Sequence, residues 1–79
     1  MNRATIAQRL RVADQHVHQG TQHIANQRRI MAKFERDGHD VTTARALLET
    51  FEALQAGHVE TRDRLRAEMV APTRPQLHQ

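Results

Sequence analysis

The chain has 79 residues, 38% of them hydrophobic and 27% charged, with only three glycines and two prolines. This composition is typical of one small helix-rich domain and argues against an intrinsically disordered chain. Cysteine and serine are absent and Lys33 is the only lysine, which excludes disulfides, cysteine-based metal sites and catalysis by a serine or thiolate nucleophile. We therefore expect no enzymatic activity and no cofactor.

The lengths of the apolar runs indicate where in the cell we expect the protein, and the net charge indicates which kinds of partner it fits. No apolar run exceeds three residues, whereas a membrane span needs about 20 and a signal-peptide core about 7–15. We expect a cytoplasmic protein with no membrane contact. The net charge of +3 and the pI of 11.0 come from eleven arginines, a bias that fits an anionic partner or an arginine-favouring base composition equally well.

The first predicted element is a long helix, because apolar and small residues recur with alternating spacings of four and three. An unbroken heptad pattern of this kind is typical of a helix that packs along one seam. The seam positions are Ile6, Leu10, Ala13, Val17, Gly20, Ile24, Gln27, Met31 and Phe34.

A turn and a second helix follow. Gly38 suits the left-handed position after a helix, and the carboxylate of Asp40 is suited to accept from the backbone N–H of Thr42 or Thr43. The predicted seam of the second helix is Ala44, Leu47, Phe51, Leu54, His58, Thr61, Leu65 and Glu68. We expect helices over about 4–37 and 41–70, a turn over 38–40 and a flexible tail over 71–79.

The short turn predicts an all-α antiparallel two-helix hairpin, in which Gly20 lies opposite His58 and Gln27 opposite Phe51. One seam interrupted by glycine and polar residues is a small core for so long a hairpin. We therefore expect a homo-oligomer, most simply a dimer that forms a four-helix bundle of coiled-coil type. The expected oligomer interface is Ile30, Met31, Phe34, Leu47, Leu48, Phe51, Leu54, Leu65 and Met69.

The histidines suggest one possible ligand site. His16, His23 and His58 fall near one level of the hairpin, as do Gly20 and Gly57. Imidazoles on adjacent helices are suited to Zn²⁺ or a similar ion, but no recognised ligand spacing is present. We expect ordinary polar seam residues and no metal site, with the three histidines as weak candidates.

Arginines gather at the open end of the hairpin, opposite the turn. Possible phosphate contacts there are Arg3, Arg9, Arg11, Arg62 and Arg66, which predict salt-dependent, sequence-independent binding if they engage nucleic acid. Tryptophan and tyrosine are absent, so no stacking platform exists. Nearby acids, such as Glu49 opposite Arg29, favour a solvated ion-paired face instead.

Several runs resemble a group of short uncharacterised proteins of alphaproteobacteria: 20–24 (GTQHI), 27–30 (QRRI), 37–40 (DGHD), 46–52 (ALLETFE) and 62–65 (RDRL), together with His58. The resemblance covers about residues 12–70. It implies a bacterial, stand-alone chain and no activity, ligand or partner.

The sequence thus favours a non-enzymatic helical protein that acts through self-association and protein–protein interaction, with an unidentified protein partner possible. The first alternative is a nucleic-acid-associated accessory protein that uses the arginine-rich open end. The second is histidine-based metal binding.

Overall fold

The computed structural model describes residues 2–71 and consists there of two α-helices. Helix α1 spans Arg3–Arg36 and helix α2 spans Thr42–Val70. The two pack antiparallel, which confirms the predicted all-α hairpin. With 34 residues, α1 is about 51 Å long at 1.5 Å per residue. Within residues 2–71, neither helix has a stretch long and apolar enough to cross a membrane, and the predicted tail lies outside the described residues except for Ala71.

The turn is built from local hydrogen bonds that end α1. Gly38 has φ +74°, a left-handed conformation in which glycine avoids the steric cost paid by other residues. Its N–H donates to Glu35 O at 3.2 Å, and His39 N–H donates to Phe34 O at 2.9 Å. This pair of bonds is a Schellman motif. The rings of Phe34 and His39 also pack edge to face, with centroids 5.6 Å apart, so the predicted role of Gly38 is confirmed.

Asp40 directly precedes Val41, the N-cap residue of α2, and makes the hydrogen bond to Thr42 that the sequence predicts. One of its carboxylate oxygens accepts from the backbone N–H of Thr42 at 2.9 Å and from the Thr42 hydroxyl at 2.7 Å. The backbone hydrogen bond has the larger effect and the hydroxyl bond the smaller, and together they hold the pKa of the Asp40 carboxyl below its usual value. At the other end of the hairpin, Asn2 caps α1 by accepting from the backbone N–H of Thr5 at 2.8 Å.

The seam of α1 lies where the heptads predict it, but the predicted seam of α2 is wrong at three of its eight positions. Leu48 is buried, and the three residues that continue its column are half-buried: Gln55, Arg62 and Met69. By contrast, Leu47, Leu54 and Glu68 are exposed. One of the two seam columns of α2 is thus shifted by one residue, which is about 100° around the helix, while the other column stays in place. The centre of the seam therefore moves by half of that angle, so α2 is rotated about its axis by roughly 50° from the predicted orientation.

Polar contacts hold the middle of the hairpin and explain this rotation. Gln55 Nε2 donates to Val17 O at 2.8 Å and to Thr21 Oγ1 at 3.1 Å. Its buried Oε1 has no hydrogen-bond partner among residues 2–71. The carboxamide lies against Gly20, where an added Cβ would come within 2.6 Å of Gln55 Cδ. A glycine on α1 therefore gives space to a glutamine on α2, and that glutamine takes the seam position expected for Leu54.

The small apolar core is divided along the rod. Toward the open end, Ile6, Ala13 and Leu65 are buried together, with Leu10 and Met69 packed against them. Toward the turn, Ala44 and Leu48 are buried, and Gln27 Nε2 donates to Ala44 O at 3.0 Å. Because two of the five buried apolar residues are alanines, the hairpin buries little apolar surface for its length.

Candidate interaction surface

One broad face of the hairpin carries the ion pairs that join the two helices. Arg28 bonds Glu52 at 3.0 Å, and Arg66 lies 3.4 Å from Asp14. The Gln55 bond to Thr21 lies along the same side. Arg29 donates to Asn26, so its predicted pairing with Glu49 across the hairpin is wrong. These charged side chains are exposed, and each pair contributes about 1 kcal/mol or less to stability.

The opposite side of the hairpin is an apolar face. It contains two shallow grooves between the helices, and His16 lines both of them. One groove also exposes His23, Phe51, Leu54 and His58. The apolar face is defined here by eight residues: Val12, His16, His23 and Ile30 of α1, and Leu47, Phe51, Leu54 and His58 of α2. Ile30 and Leu47 belong to it because each lies one heptad from a groove residue, His23 and Leu54 respectively.

Aliphatic side chains of this face remain open to water. The exposed fractions are 55% for Leu54, 43% for Leu47, 41% for Val12 and 37% for Ile30. No acidic residue lines either groove, and the only cations in their lining are Arg9 and Arg64 near the open end. Exposed aliphatic side chains on one face, beside grooves without a carboxylate, are typical of a surface that another molecule covers.

The expected interface residues are divided between the hairpin and this face. Leu48 and Leu65 are buried between the helices, and Met31, Phe51 and Met69 are half-buried. The exposed members of the expected set are Ile30, Phe34, Leu47 and Leu54. Of the expected set, these four have the most apolar surface left for a second molecule. Val12 is a further exposed apolar residue, outside the predicted interface.

The three candidate histidines, His16, His23 and His58, form two separate ring contacts. His16 and His58 lie on opposite helices with ring centroids 5.2 Å apart, tilted by 47°. His23 instead stacks on Phe51, with centroids 5.6 Å apart. The sequence predicts Gly20 opposite His58 and Gln27 opposite Phe51. In both contacts the observed partner on α1 lies four residues earlier, about one helical turn away. Across residues 2–71, no three histidine, aspartate or glutamate side chains are placed to hold a metal ion together.

The two helical glycines that the sequence places near one level of the hairpin have different surroundings. Gly20 packs against Gln55, whereas a Cβ added at Gly57 would meet nothing within 4 Å. Gly57 therefore makes no close helix contact, and only Gly20 creates space that another side chain fills.

The arginine-rich end is partly neutralised by the chain itself. Arg62 pairs with Asp63 at 2.9 Å and Arg66 with Asp14 at 3.4 Å, while Arg11 donates to Gln8. Arg9 lines a groove together with Arg64, and Arg3 lies in the exposed first turn of α1. Of the five expected phosphate contacts, two are thus held in ion pairs with carboxylates.

Comparison of the chain with family models, curated proteins and solved structures returns no match. The resemblance to alphaproteobacterial proteins stays a prediction.

Proposed function

We propose that this chain is a non-enzymatic helical protein that acts through self-association, with two hairpins packed apolar face against apolar face in a four-helix bundle. The observation that carries the proposal is the exposure of Leu54, Leu47, Val12 and Ile30 along one side of the rod. In a monomer, water would contact all four side chains. In the dimer, each chain covers the face of the other.

The size of the core supports a second copy of the chain as the occupant. Fewer than about 80 residues rarely supply more than ~3–5 kcal/mol from one core, and here the helices meet along a seam whose middle holds Gly20 and Gln55. A chain without cysteine has no disulfide to compensate. Oligomerisation is a common way for such small chains to bury more apolar surface.

The charge distribution also supports self-association. Ion pairs occupy the opposite side of the hairpin, where they would remain in water after two apolar faces meet. The central part of the face carries neutral glutamine, histidine and aliphatic side chains. Two copies therefore approach without bringing like charges together at the centre of the contact, and without burying unpaired carboxylates.

Association with nucleic acid is the second candidate, and one observation favours it. Arg9 and Arg64 line the same groove near the open end, and no carboxylate shares that lining. Two cations in one groove suit contacts to backbone phosphates, which position a protein without reading base sequence.

Sedimentation equilibrium over a range of chain concentrations tests the first proposal. We expect a mass of about twice 9.1 kDa, and a melting temperature that rises with chain concentration because dissociation is coupled to unfolding. A fully helical monomer at all concentrations would contradict it. A duplex titration at several salt concentrations tests the second candidate, which predicts binding that weakens steeply with salt and is insensitive to sequence.

A further inference from the structure

His16 and His58 form a ring contact between the two helices, at a distance common to packed aromatic pairs. The two imidazoles come from different helices, and their ring centroids are 5.2 Å apart and tilted by 47°. Neither ring takes part in a hydrogen bond or ion pair among residues 2–71. Both lie at the wall of an open groove without a carboxylate. Their ring nitrogens are therefore available to an added ligand.

The separation of the rings matches two ligands on one tetrahedral ion. A zinc–nitrogen bond is about 2.0–2.1 Å, which places an imidazole centroid about 3.2 Å from the metal. Two such rings at a tetrahedral angle have centroids about 5.2 Å apart. The observed 5.2 Å between His16 and His58 agrees with this value.

We propose that His16 and His58 of one chain hold a divalent transition-metal ion, of the class of Zn²⁺, Ni²⁺ or Cu²⁺, as a clamp between α1 and α2. Imidazole nitrogen suits these ions, whereas Ca²⁺ and Mg²⁺ need oxygen ligands that this groove does not concentrate. The chain supplies two ligands, and water fills the remaining positions. Both ligands belong to one chain, so a single hairpin holds the ion. They also lie on the apolar face, so the ion and a second copy of the chain compete for that face.

Such a clamp acts at the part of the rod with the weakest apolar packing. One turn beyond His16, Gly20 faces Gln55, and the contacts across the hairpin there are polar. An ion that bridges the helices binds the folded hairpin more tightly than the unfolded chain, in which the two histidines are far apart. Binding therefore stabilises the hairpin by mass action.

Titration with ZnCl₂ or NiCl₂ tests the proposal on tag-free chain stripped of metal, with calorimetry and thermal unfolding as readouts. We expect one ion per chain and a melting temperature about 10–20 °C higher at a free metal concentration of about 100 times Kd. His16→Gln and His58→Gln should each weaken binding at least ~10-fold and abolish the thermal shift. His18→Gln is the matched control, since His18 lies two residues from His16 on another side of α1 and is exposed.

Three outcomes would overturn the clamp. The first is absence of binding. The second is binding that survives both His16→Gln and His58→Gln. The third is binding without a thermal shift, which indicates single histidines that bind metal equally well in the unfolded chain. Circular dichroism without metal checks that each variant is helical. Sedimentation with and without metal measures whether the chain is a monomer or a dimer, and so separates the effect of the clamp from that of self-association.

Discussion

Leu54→Asp is the substitution that most directly separates self-association from folding of the hairpin. Leu54 is 55% exposed and lies outside the seam that joins α1 to α2. Full burial of a leucine side chain contributes about 1.5–3 kcal/mol, so covering its exposed half contributes roughly 1–1.5 kcal/mol per copy. An unpaired buried carboxylate costs a further ~1–3 kcal/mol. With two copies, the dimer loses at least about 4 kcal/mol, a weakening of about 10³-fold in Kd.

Sedimentation equilibrium measures this change, and Ala53→Asp is the matched control. Ala53 precedes Leu54 and is exposed, about 100° farther round α2 and away from the apolar face. Both substitutions add the same charge and lower helix propensity by a similar amount, about 0.5–0.7 kcal/mol. We expect Ala53→Asp to remain a dimer at concentrations where Leu54→Asp is monomeric. Equal weakening by the two variants, or a dimer unaffected by Leu54→Asp, would refute the reasoning.

Three further predictions concern the hairpin itself, each measured by thermal or denaturant unfolding at fixed chain concentration. The change in the free energy of unfolding caused by Gly20→Ala should be at least about 1 kcal/mol more stabilising in a Gln55→Ala background than in the natural chain, because in the natural chain the new methyl group displaces the Gln55 carboxamide. Gly57→Ala is the control: Gly57 has open space around it, so the substitution should stabilise the hairpin by about 0.5–1 kcal/mol in either background. Gly38→Ala should destabilise by about 1–2 kcal/mol, because its left-handed conformation disfavours a Cβ, and an unchanged stability would mean that the turn rearranges. The pKa of the Asp40 carboxyl is lowered in the folded chain, so the stabilisation from its hydrogen bonds to Thr42 is fully present above the unfolded-state pKa, near 3.8. This stabilisation is lost as the pH falls through the folded-state pKa. The free energies of unfolding of the natural chain and Asp40→Ala should therefore converge in acid, and a constant difference down to low pH would contradict this.

The turn was predictable because its structure depends on nearest neighbours. At the end of α1, Gly38 N–H bonds Glu35, three positions earlier, and His39 N–H bonds Phe34, five positions earlier. At the start of α2, Asp40 accepts from Thr42, two positions later. No contact distant in sequence is needed for either motif. Local chemistry therefore suffices to predict both the break between the helices and their antiparallel arrangement.

The orientation of α2 was not predictable from its own pattern of apolar residues. Leu47 and Leu54 form a more hydrophobic column than Gln55 and Arg62, so the heptad pattern favours the leucines as the inner column. The hairpin instead buries much of Gln55, whose amide finds acceptors on α1 at Val17 and Thr21. The space at Gly20 that permits this contact depends on the partner helix, which a single-helix pattern does not include.

The candidate surface follows from the same rotation. Since Gln55 takes a place in the seam, Leu54 and Leu47 turn outward and join Val12 and Ile30 on one face. The sequence predicts an excess of apolar residues beyond one seam, but not the face on which they lie. Likewise, it places His16, His23 and His58 near one another, while the pairing of His16 with His58 and of His23 with Phe51 depends on the final register.

The distance between spin labels in the dimer tests most directly whether two copies meet through the apolar face. The chain has no natural cysteine, so Gln19→Cys and Ala56→Cys each provide one labelling position. Gln19 lines the groove of the apolar face, and Ala56 lies two residues from Leu54, about 200° round α2. We expect labels at position 19 to be closer together than labels at position 56, by roughly two helix diameters or ~20 Å. A shorter distance at position 56, or no distance between copies at either position, would contradict the account.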